Sequence, residues 1–132
     1  MTDDKKNRHA YYKLTYHLVV VTKYRHKCIF EDIMNRWKQI TLELFKKWDC
    51  ELLETNGESD HVDLLFDAPP QNNLANTINR YKTVTSRNVR KEFPKELEKY
   101  YWKSYFWSRS YMILTTRGST IDVIKNIEKQ GE

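Results

Sequence analysis

The first part of the chain alternates hydrophobic and more polar positions. Tyr12, Leu14, Tyr16 and Leu18 are separated by single residues, and an uninterrupted apolar run over 19–21 follows them. A period of two is typical of a β-strand with one buried face, and the apolar run indicates deeper burial toward its end. The pattern therefore predicts a first strand that begins near Tyr12 and ends near Val21.

Two longer stretches have helical spacing. Over 31–48, the residues predicted to share one face are Ile33, Trp37, Ile40, Leu44 and Trp48. A second helix is predicted from Asn72 to about Phe93, where Pro94 should end it because proline does not fit a helix interior. The residues expected on one side of this second helix are Leu74, Ile78, Tyr81 and Thr85.

Shorter apolar runs predict three further strands. They cover 50–55, followed by a turn at Asn56-Gly57, then 61–67, and finally an aromatic-rich stretch over 105–115. A capping sequence that begins at Ser119 predicts a last short helix. The order β-α-β-β-α-β, plus this C-terminal helix, is typical of the ferredoxin-like α+β fold, an antiparallel sheet with its helices on one face. We expect one domain over 11–132, preceded by a loose polar arm over 1–10.

Charge and composition favour a nucleic-acid partner. The 132 residues carry a formal net charge of +5, and 14% of them are aromatic. A positive excess favours a polyanion, and aromatic rings that the core does not use can stack on unpaired bases. Charge alone is equally consistent with a basic protein that has no such partner.

Cysteine usage and hydropathy bear on the location of the protein. Cys28 and Cys50 belong to no CxxC motif, which argues against a disulfide framework or a cysteine zinc site and suits a reducing cytoplasm. No apolar stretch approaches the roughly 18 residues of a membrane span, and no signal peptide is visible. We therefore expect no membrane partner.

The predicted third strand carries the most informative chemistry. His61 and Asp63 are two residues apart, so they should project from one face while Val62 and Leu64 face the core. An imidazole beside a carboxylate can hold a divalent cation and leave positions open for phosphate oxygens and water. The alternative is an ordinary polar strand face on which His61 pairs with Asp63.

Five segments, in order, resemble the IS200/IS605 transposases over nearly the whole chain. The matches are YHLVVVTKYR (16–25) to the family's YHxVWxxKYR, DHVDLL (60–65) to DHVHLL, KTVTSR (82–87) to KxxSSR, FWSRSY (106–111) to LWxxSY, and TTRG (115–118) with VIKNIEKQ (123–130) to TVGG and IKKYIENQ. No single match is specific. The set is specific because all five occur at family spacing.

The resemblance implies a single-tyrosine HUH nuclease that cuts and rejoins single-stranded DNA. Mg²⁺ or Mn²⁺ would be bound by His61 and Asp63, and Gln130 on the last helix would complete the metal and catalytic site. A tyrosine would attack a DNA phosphate to form a covalent phosphotyrosine. The family resemblance further implies a homodimer that recognises hairpins at the ends of its element, in the cytoplasm of a prokaryotic cell and associated with the nucleoid.

The same resemblance and the basic segments predict a DNA-binding surface. Phosphate contacts are assigned to basic side chains, and base stacking is assigned to Tyr24 and to one residue of the Trp102/Trp107 pair. The residues assigned to phosphates are Lys23, Arg25, Lys27, Lys82, Arg87 and Arg90. Solvated surface charge and core packing are the alternative for any one of these residues.

The chain departs from the family pattern at two places. Asp63 stands where the family has a second histidine, which a hard cation tolerates. The family's tyrosine should lie between Asn126 and Ile127, where no residue stands, and no tyrosine follows Tyr111. A one-residue deletion also rotates the rest of a helix, including Gln130, by about 100°.

Three functions therefore remain open. The chain is an active or recently disabled transposase, a non-catalytic regulator that binds single-stranded or hairpin DNA, or an RNA-recognition module. The RNA-recognition module ranks third because the third strand of such a module should carry a glycine- and aromatic-rich motif, whereas here that strand carries His61-Val62-Asp63. Among neighbouring residues, His17 is expected to be structural or DNA-facing, Asp60 to orient the strand or His61 rather than bind metal, and Tyr111 to pack in the core.

Overall fold

The computed structural model describes residues 14–69 and 73–115. Within them the elements are β1 (Leu14–Thr22), α1 (Glu31–Lys47), β2 (Glu51–Gly57), β3 (His61–Ala68), α2 (Leu74–Glu92), the short α3 (Pro94–Leu97) and β4 (Trp107–Thr115). The strands form one sheet in the order β2-β3-β1-β4, and every neighbouring pair is antiparallel. The predicted ferredoxin-like α+β fold is thus confirmed. The predicted N-terminal arm and last helix lie outside the described residues.

Strand β1 occupies the centre of the sheet. It pairs with β3 on one side and with β4 on the other, so that Val19 lies opposite Asp63 and Val20 lies opposite both Val62 and Tyr111. Its apolar run serves both faces of the sheet: Leu18 and Val20 are buried under the helices, whereas Val19 and Val21, on the opposite face, are half-buried. The two strands that carry the site chemistry are consequently adjacent.

The helical core differs in one respect from the predicted stripe on α1. Ile33, Trp37 and Ile40 are buried as expected, but Leu44 and Trp48 are only half-buried. Phe45 is buried instead, because its ring lies 4.9 Å from Phe66 and 5.6 Å from Tyr81. The end of the helix therefore turns an aromatic ring, not the predicted leucine, toward the sheet.

A polar junction joins the two long helices inside this core. The indole Nε1 of Trp37 donates to the hydroxyl of Tyr81 over 2.6 Å, and the hydroxyl of Thr41 lies 2.8 Å from the same oxygen. Burial raises the pKa of Tyr81, so its phenol stays neutral. The buried hydroxyl is thus supplied with partners, as buried polar groups require.

The predicted turn at Asn56-Gly57 is wrong. Both residues belong to β2 and pair with Asp63 and Val62, and the chain reverses afterwards, over 58–60. A Cβ at Gly57 would lie 2.5 Å from Cε of Met34, so the glycine leaves room for the methionine side chain of α1.

Proline and the aromatic loop set two other boundaries. Pro94 does end the second long helix, but it also begins α3, where the fixed φ of proline suits the first turn. The fourth strand begins at Trp107 rather than Tyr105, because Tyr105 packs its ring edge-on against Tyr24 and Tyr101.

Candidate active site

Strand β3 separates apolar from polar side chains as its sequence predicts. Val62 and Leu64 are fully buried on the face that the helices cover. His61 and Asp63 point the opposite way, and they are only 4% and 8% exposed. A histidine and a carboxylate are thus held side by side in a nearly buried setting.

Asp60 links His61 to the basic turn that follows β1. One carboxylate oxygen, Oδ1, lies 2.9 Å from Nδ1 of His61, and the other accepts from Nη2 of Arg25 over 3.2 Å. Burial alone would raise the pKa of Asp60, but the hydrogen bond from His61 and the charge of Arg25 outweigh it and lower the pKa below its usual value. An ionised carboxylate only accepts hydrogen bonds, so Nδ1 of His61 carries a proton, and in the neutral ring the lone pair is then on Nε2.

His17 adds a second imidazole to this face. Its Nε2 lies 3.7 Å from Oδ1 of Asp63, and the side chain is buried. His17 was expected to be structural or DNA-facing rather than a ligand, and the structure places it beside the predicted metal carboxylate. The alternation in β1, paired against β3, is the signal that puts His17 and Asp63 on the same face.

The described residues do not complete a metal site by themselves. Within 14–69 and 73–115, no group of three or more His, Cys, Asp or Glu side chains is placed to hold a metal ion. Gln130, predicted as a third ligand, lies outside those ranges, as do Asn126 and Ile127. The metal role of His61 and Asp63 stays a prediction.

The predicted DNA residues that follow β1 form one turn, in which Tyr24 is exposed and Lys23 and Arg25 are half-buried. Lys23, Tyr24 and Arg25 make a single 3-10 turn in which Tyr24 and Arg25 have φ values of 61° and 55°. Such values are uncommon for residues other than glycine, asparagine, aspartate and histidine. Tyr24 is 63% exposed, with Nζ of Lys23 5.2 Å from its ring centre. Lys27 is exposed just beyond the turn.

The predicted DNA residues on α2 divide into two groups. Lys82 donates from Nζ to the carbonyl of Arg109 over 2.8 Å, and burial lowers its pKa. It therefore ties the helix to β4. Arg87 and Arg90 instead line a cleft of about 460 Å³ at the end of the sheet where the turn lies.

A cluster of rings around the turn was missed by the sequence analysis. His26 contacts Tyr100 and Tyr101, with ring centres 5.9 Å and 5.3 Å away, while Tyr24 and Tyr105 meet edge to face at 5.9 Å. The density of tyrosine between Pro94 and β4 was the available signal. Because these rings belong to segments far apart in sequence, no local pattern joins them.

The other predicted stacking residues have different environments. Trp107 is 8% exposed and donates from Nε1 to the Thr85 hydroxyl over 2.9 Å, so it anchors β4 to α2. Trp102 is 81% exposed, with Nζ of Lys103 4.6 Å from its ring centre. Of the pair, Trp102 is the one available to a base. Tyr111 packs against the core, as predicted.

The fold and these motifs define a class of transposase. Residues 10–130 match the family model described as "Transposase IS200 like". The chain therefore belongs to the IS200-like transposase family, and the resemblance inferred from sequence is confirmed. No helix among the described residues is both long and apolar enough to span a membrane.

Individual relatives agree with this assignment. The chain is similar to the ISDra2 transposase TnpA of Deinococcus radiodurans, with 32% identity over 96% of this chain and 90% of that protein. It is also similar to the transposase for insertion sequence element IS200 of Salmonella typhimurium, with 25% identity over 100% of this chain and 86% of that protein.

Two solved structures share the fold. A crystal structure assigned as a transposase from Deinococcus radiodurans superimposes with a TM-score of 0.74 at 31% identity, covering 90% of this chain and 92% of that one. A REP-associated tyrosine transposase bound to a REP hairpin superimposes with a TM-score of 0.61, covering 86% of this chain and 61% of that one. At 9% identity, the second similarity shows the fold alone.

Proposed function

We propose that this chain is a transposase that cleaves and rejoins DNA strands. In this proposal it binds single-stranded DNA that carries a hairpin, together with Mg²⁺ or Mn²⁺. The observation that supports this most directly is the hydrogen bond between Asp60 and Nδ1 of His61. It leaves Nε2 as a lone-pair donor on the face that also carries the Asp63 carboxylate. A nitrogen and a hard oxygen ligand on one face suit these cations.

The metal site needs partners beyond this pair. When bound, such a cation withdraws charge from a DNA phosphate and orients it for in-line attack. Asp60 would hold the ring of His61 in place through Nδ1, and Arg25 would hold Asp60. Further ligands would come from phosphate oxygens, water or Gln130. Residues in the second layer around a metal typically change its affinity by about 10–100-fold when removed.

The DNA partner is proposed from charge, exposed rings and family membership. Lys23 and Arg25 lie at the end of the sheet where His61 begins β3, next to the exposed ring of Tyr24, and Arg87 and Arg90 line the adjoining cleft. One structural relative is described as bound to a REP hairpin. We extend the same kind of ligand, and a homodimeric assembly, to this chain as proposals. If contacts to DNA phosphates dominate, DNA affinity should fall steeply as the salt concentration rises. An affinity that does not change with salt would rule out a phosphate-dominated interface.

A second candidate function is favoured by one observation in the sequence. No tyrosine stands between Asn126 and Ile127, or anywhere after Tyr111. Without that hydroxyl the family's covalent step has no nucleophile. The chain would then be a DNA-binding regulator that keeps the transposase scaffold.

One experiment separates these candidates. The intact mass of the protein is measured before and after incubation with a single-stranded DNA hairpin and Mg²⁺. A DNA adduct or a cleaved strand supports the enzyme. Hairpin binding without either supports the regulator, and failure to bind the hairpin contradicts both.

An insertion variant sharpens this test. A tyrosine inserted between Asn126 and Ile127 restores the family's register and should produce an adduct if the remaining site is competent. A phenylalanine inserted at the same place is the matched control, since it restores the register without the hydroxyl. An adduct with both insertions would show that the nucleophile lies elsewhere.

A further inference from the structure

A cleft of about 460 Å³ opens at the C-terminal end of α2, outside the proposed metal site. Its walls are α2, α3 and the segment that leads to β4. Among the described residues, four cationic side chains line it, with Glu98 as the one carboxylate: Arg87, Arg90, Lys91 and Lys103. This excess of positive charge favours an anionic occupant.

Aromatic and aliphatic side chains line the rest of the cleft. Leu97 and Tyr101 are buried, and Tyr105 is half-buried beside them. Tyr101 is held by its hydroxyl, which donates to the carbonyl of Lys23 over 2.7 Å. Tyr105 meets Tyr101 and Tyr24 edge to face, with ring centres 6.2 Å and 5.9 Å away. The apolar wall is therefore built from rings whose positions are constrained.

The cleft adjoins the proposed DNA path. Its wall residue Tyr105 lies under Nζ of Lys23, 5.1 Å from the ring centre. Two residues later in the same turn, Arg25 bonds to Asp60, which bonds to His61. The Lys23–Arg25 turn thus stands between the cleft and the metal pair, at one end of the sheet.

We infer that this cleft binds a single unpaired nucleotide of the DNA strand, with its phosphate against the cationic side chains and its base against Tyr105. A volume near 460 Å³ lies within the usual range for small-ligand sites. Flat apolar rings beside clustered cations are the combination that binds unpaired bases with their phosphates. The inference rests on the proposed function, because it supposes that single-stranded DNA runs past the turn.

The test is an abasic scan on the full-length chain. Fluorescence anisotropy measures the binding of a labelled hairpin with single-stranded flanks, in a series in which each flank position in turn lacks its base. We expect one position at which base loss weakens binding about tenfold, the size typical of one stacked base. In the Tyr105→Leu variant, loss of the base at that position should weaken binding much less. The reason is that the change in the protein and the change in the DNA remove the same contact between base and ring.

Charge variants provide the second arm. Lys91→Gln with Lys103→Gln should weaken hairpin binding by more than Lys38→Gln with Lys46→Gln, which removes the same charge from exposed positions on α1. Circular dichroism confirms that each variant is folded. Equal weakening in the two double variants would overturn the inference, because the effect would then be general electrostatics.

The remaining outcomes are distinct. If the intact hairpin does not bind the wild-type chain, the proposed function fails and the inference fails with it. If the hairpin binds but no abasic position matters, only the inference fails. Free thymidine 5′-monophosphate is the third arm. If it displaces nothing at millimolar concentration, the strand is the source of the nucleotide. If it binds tightly while the abasic scan is flat, the cleft is a site for free nucleotides and the inference is overturned.

Discussion

The two faces of β3 are almost equally buried but chemically opposite. On one face Val62 and Leu64 pack under the helices, and on the other His61 and Asp63 are nearly as hidden from solvent. Burying apolar groups stabilises a fold, whereas burying polar groups costs free energy unless they are bonded. The first face therefore holds the protein together. The second is arranged around bonds such as that between Asp60 and His61, and its benefit is chemical.

Asp67 shows that the polar face is supplied with partners along its length. Its carboxylate accepts a hydrogen bond from the hydroxyl of Thr15 on the neighbouring strand. Farther along the strand, His17 approaches Asp63. Because the two faces differ in this way, substitutions on one face should change stability and substitutions on the other should change the chemistry of the site. Four predictions test that separation.

The largest effect is expected on the apolar face. Leu64→Ala should lower the free energy of unfolding by about 2–5 kcal/mol, because it leaves a cavity in a close-packed core. Urea denaturation followed by circular dichroism measures it. Leu53→Ala is the control, since Leu53 is 43% exposed and should change stability by less than about 0.5 kcal/mol. Equal effects would contradict the assignment of the core.

A smaller loss is expected where a polar group lies inside the apolar layer. Tyr81→Phe removes the hydroxyl that accepts from Trp37, and a buried donor left without its partner costs about 1–3 kcal/mol. The same denaturation assay applies. Tyr100→Phe, at an exposed position, should be nearly neutral. A stable Tyr81→Phe variant would mean that the junction repacks or admits water.

On the polar face the expected effect concerns the metal rather than stability. Asp60→Asn removes the charge that orients His61 and should weaken Mn²⁺ binding by about 10–100-fold. Isothermal titration calorimetry measures this with the full chain. Glu58→Gln, an exposed neighbour with the same charge change, should bind Mn²⁺ like the wild type. Unchanged affinity in Asp60→Asn would argue against an orienting role.

The smallest effect is a pH dependence on the same face. The folded state lowers the pKa of Asp60, so the ionised form stabilises the fold. This contribution is fully present well above the unfolded-state pKa of about 3.9 and is lost as pH falls through the lower folded-state pKa. Denaturation curves between about pH 5 and pH 2.5 should fall less steeply for Asp60→Asn than for the wild type. Parallel curves would contradict the lowered pKa.

Much of the fold could be predicted from local patterns. The periods of the first strand and of both long helices predict these elements with boundaries within a few residues, because burial of one face imposes that period. The Asn56-Gly57 turn failed for a tertiary reason. Glycine suits a turn, but here it makes room for Met34 across a helix–strand contact that no short-range pattern records.

The candidate site, like the fold, could be predicted from the sequence only in part. The alternation along β3 is enough to predict that His61 and Asp63 share one face, and the family motifs attach a chemistry to them. Sequence patterns did not bring His17 to Asp63 or separate Lys82 from Arg87. The register of β1 against β3 brings His17 to Asp63. Lys82 bonds to β4, whereas Arg87 lines the cleft at the C-terminal end of α2.

The order of elements and the placing of His61 and Asp63 on one strand face depend on residues close together in the chain, and the family depends on five short motifs at a fixed spacing. They follow from periodicity and short motifs, so the amino-acid sequence was sufficient for them. The aromatic cluster at the Lys23–Arg25 turn, the Arg25–Asp60 ion pair and the cationic cleft join residues from separate parts of the chain. They depend on how the helices and strands pack, because contacts between distant segments form only when the chain closes on one core.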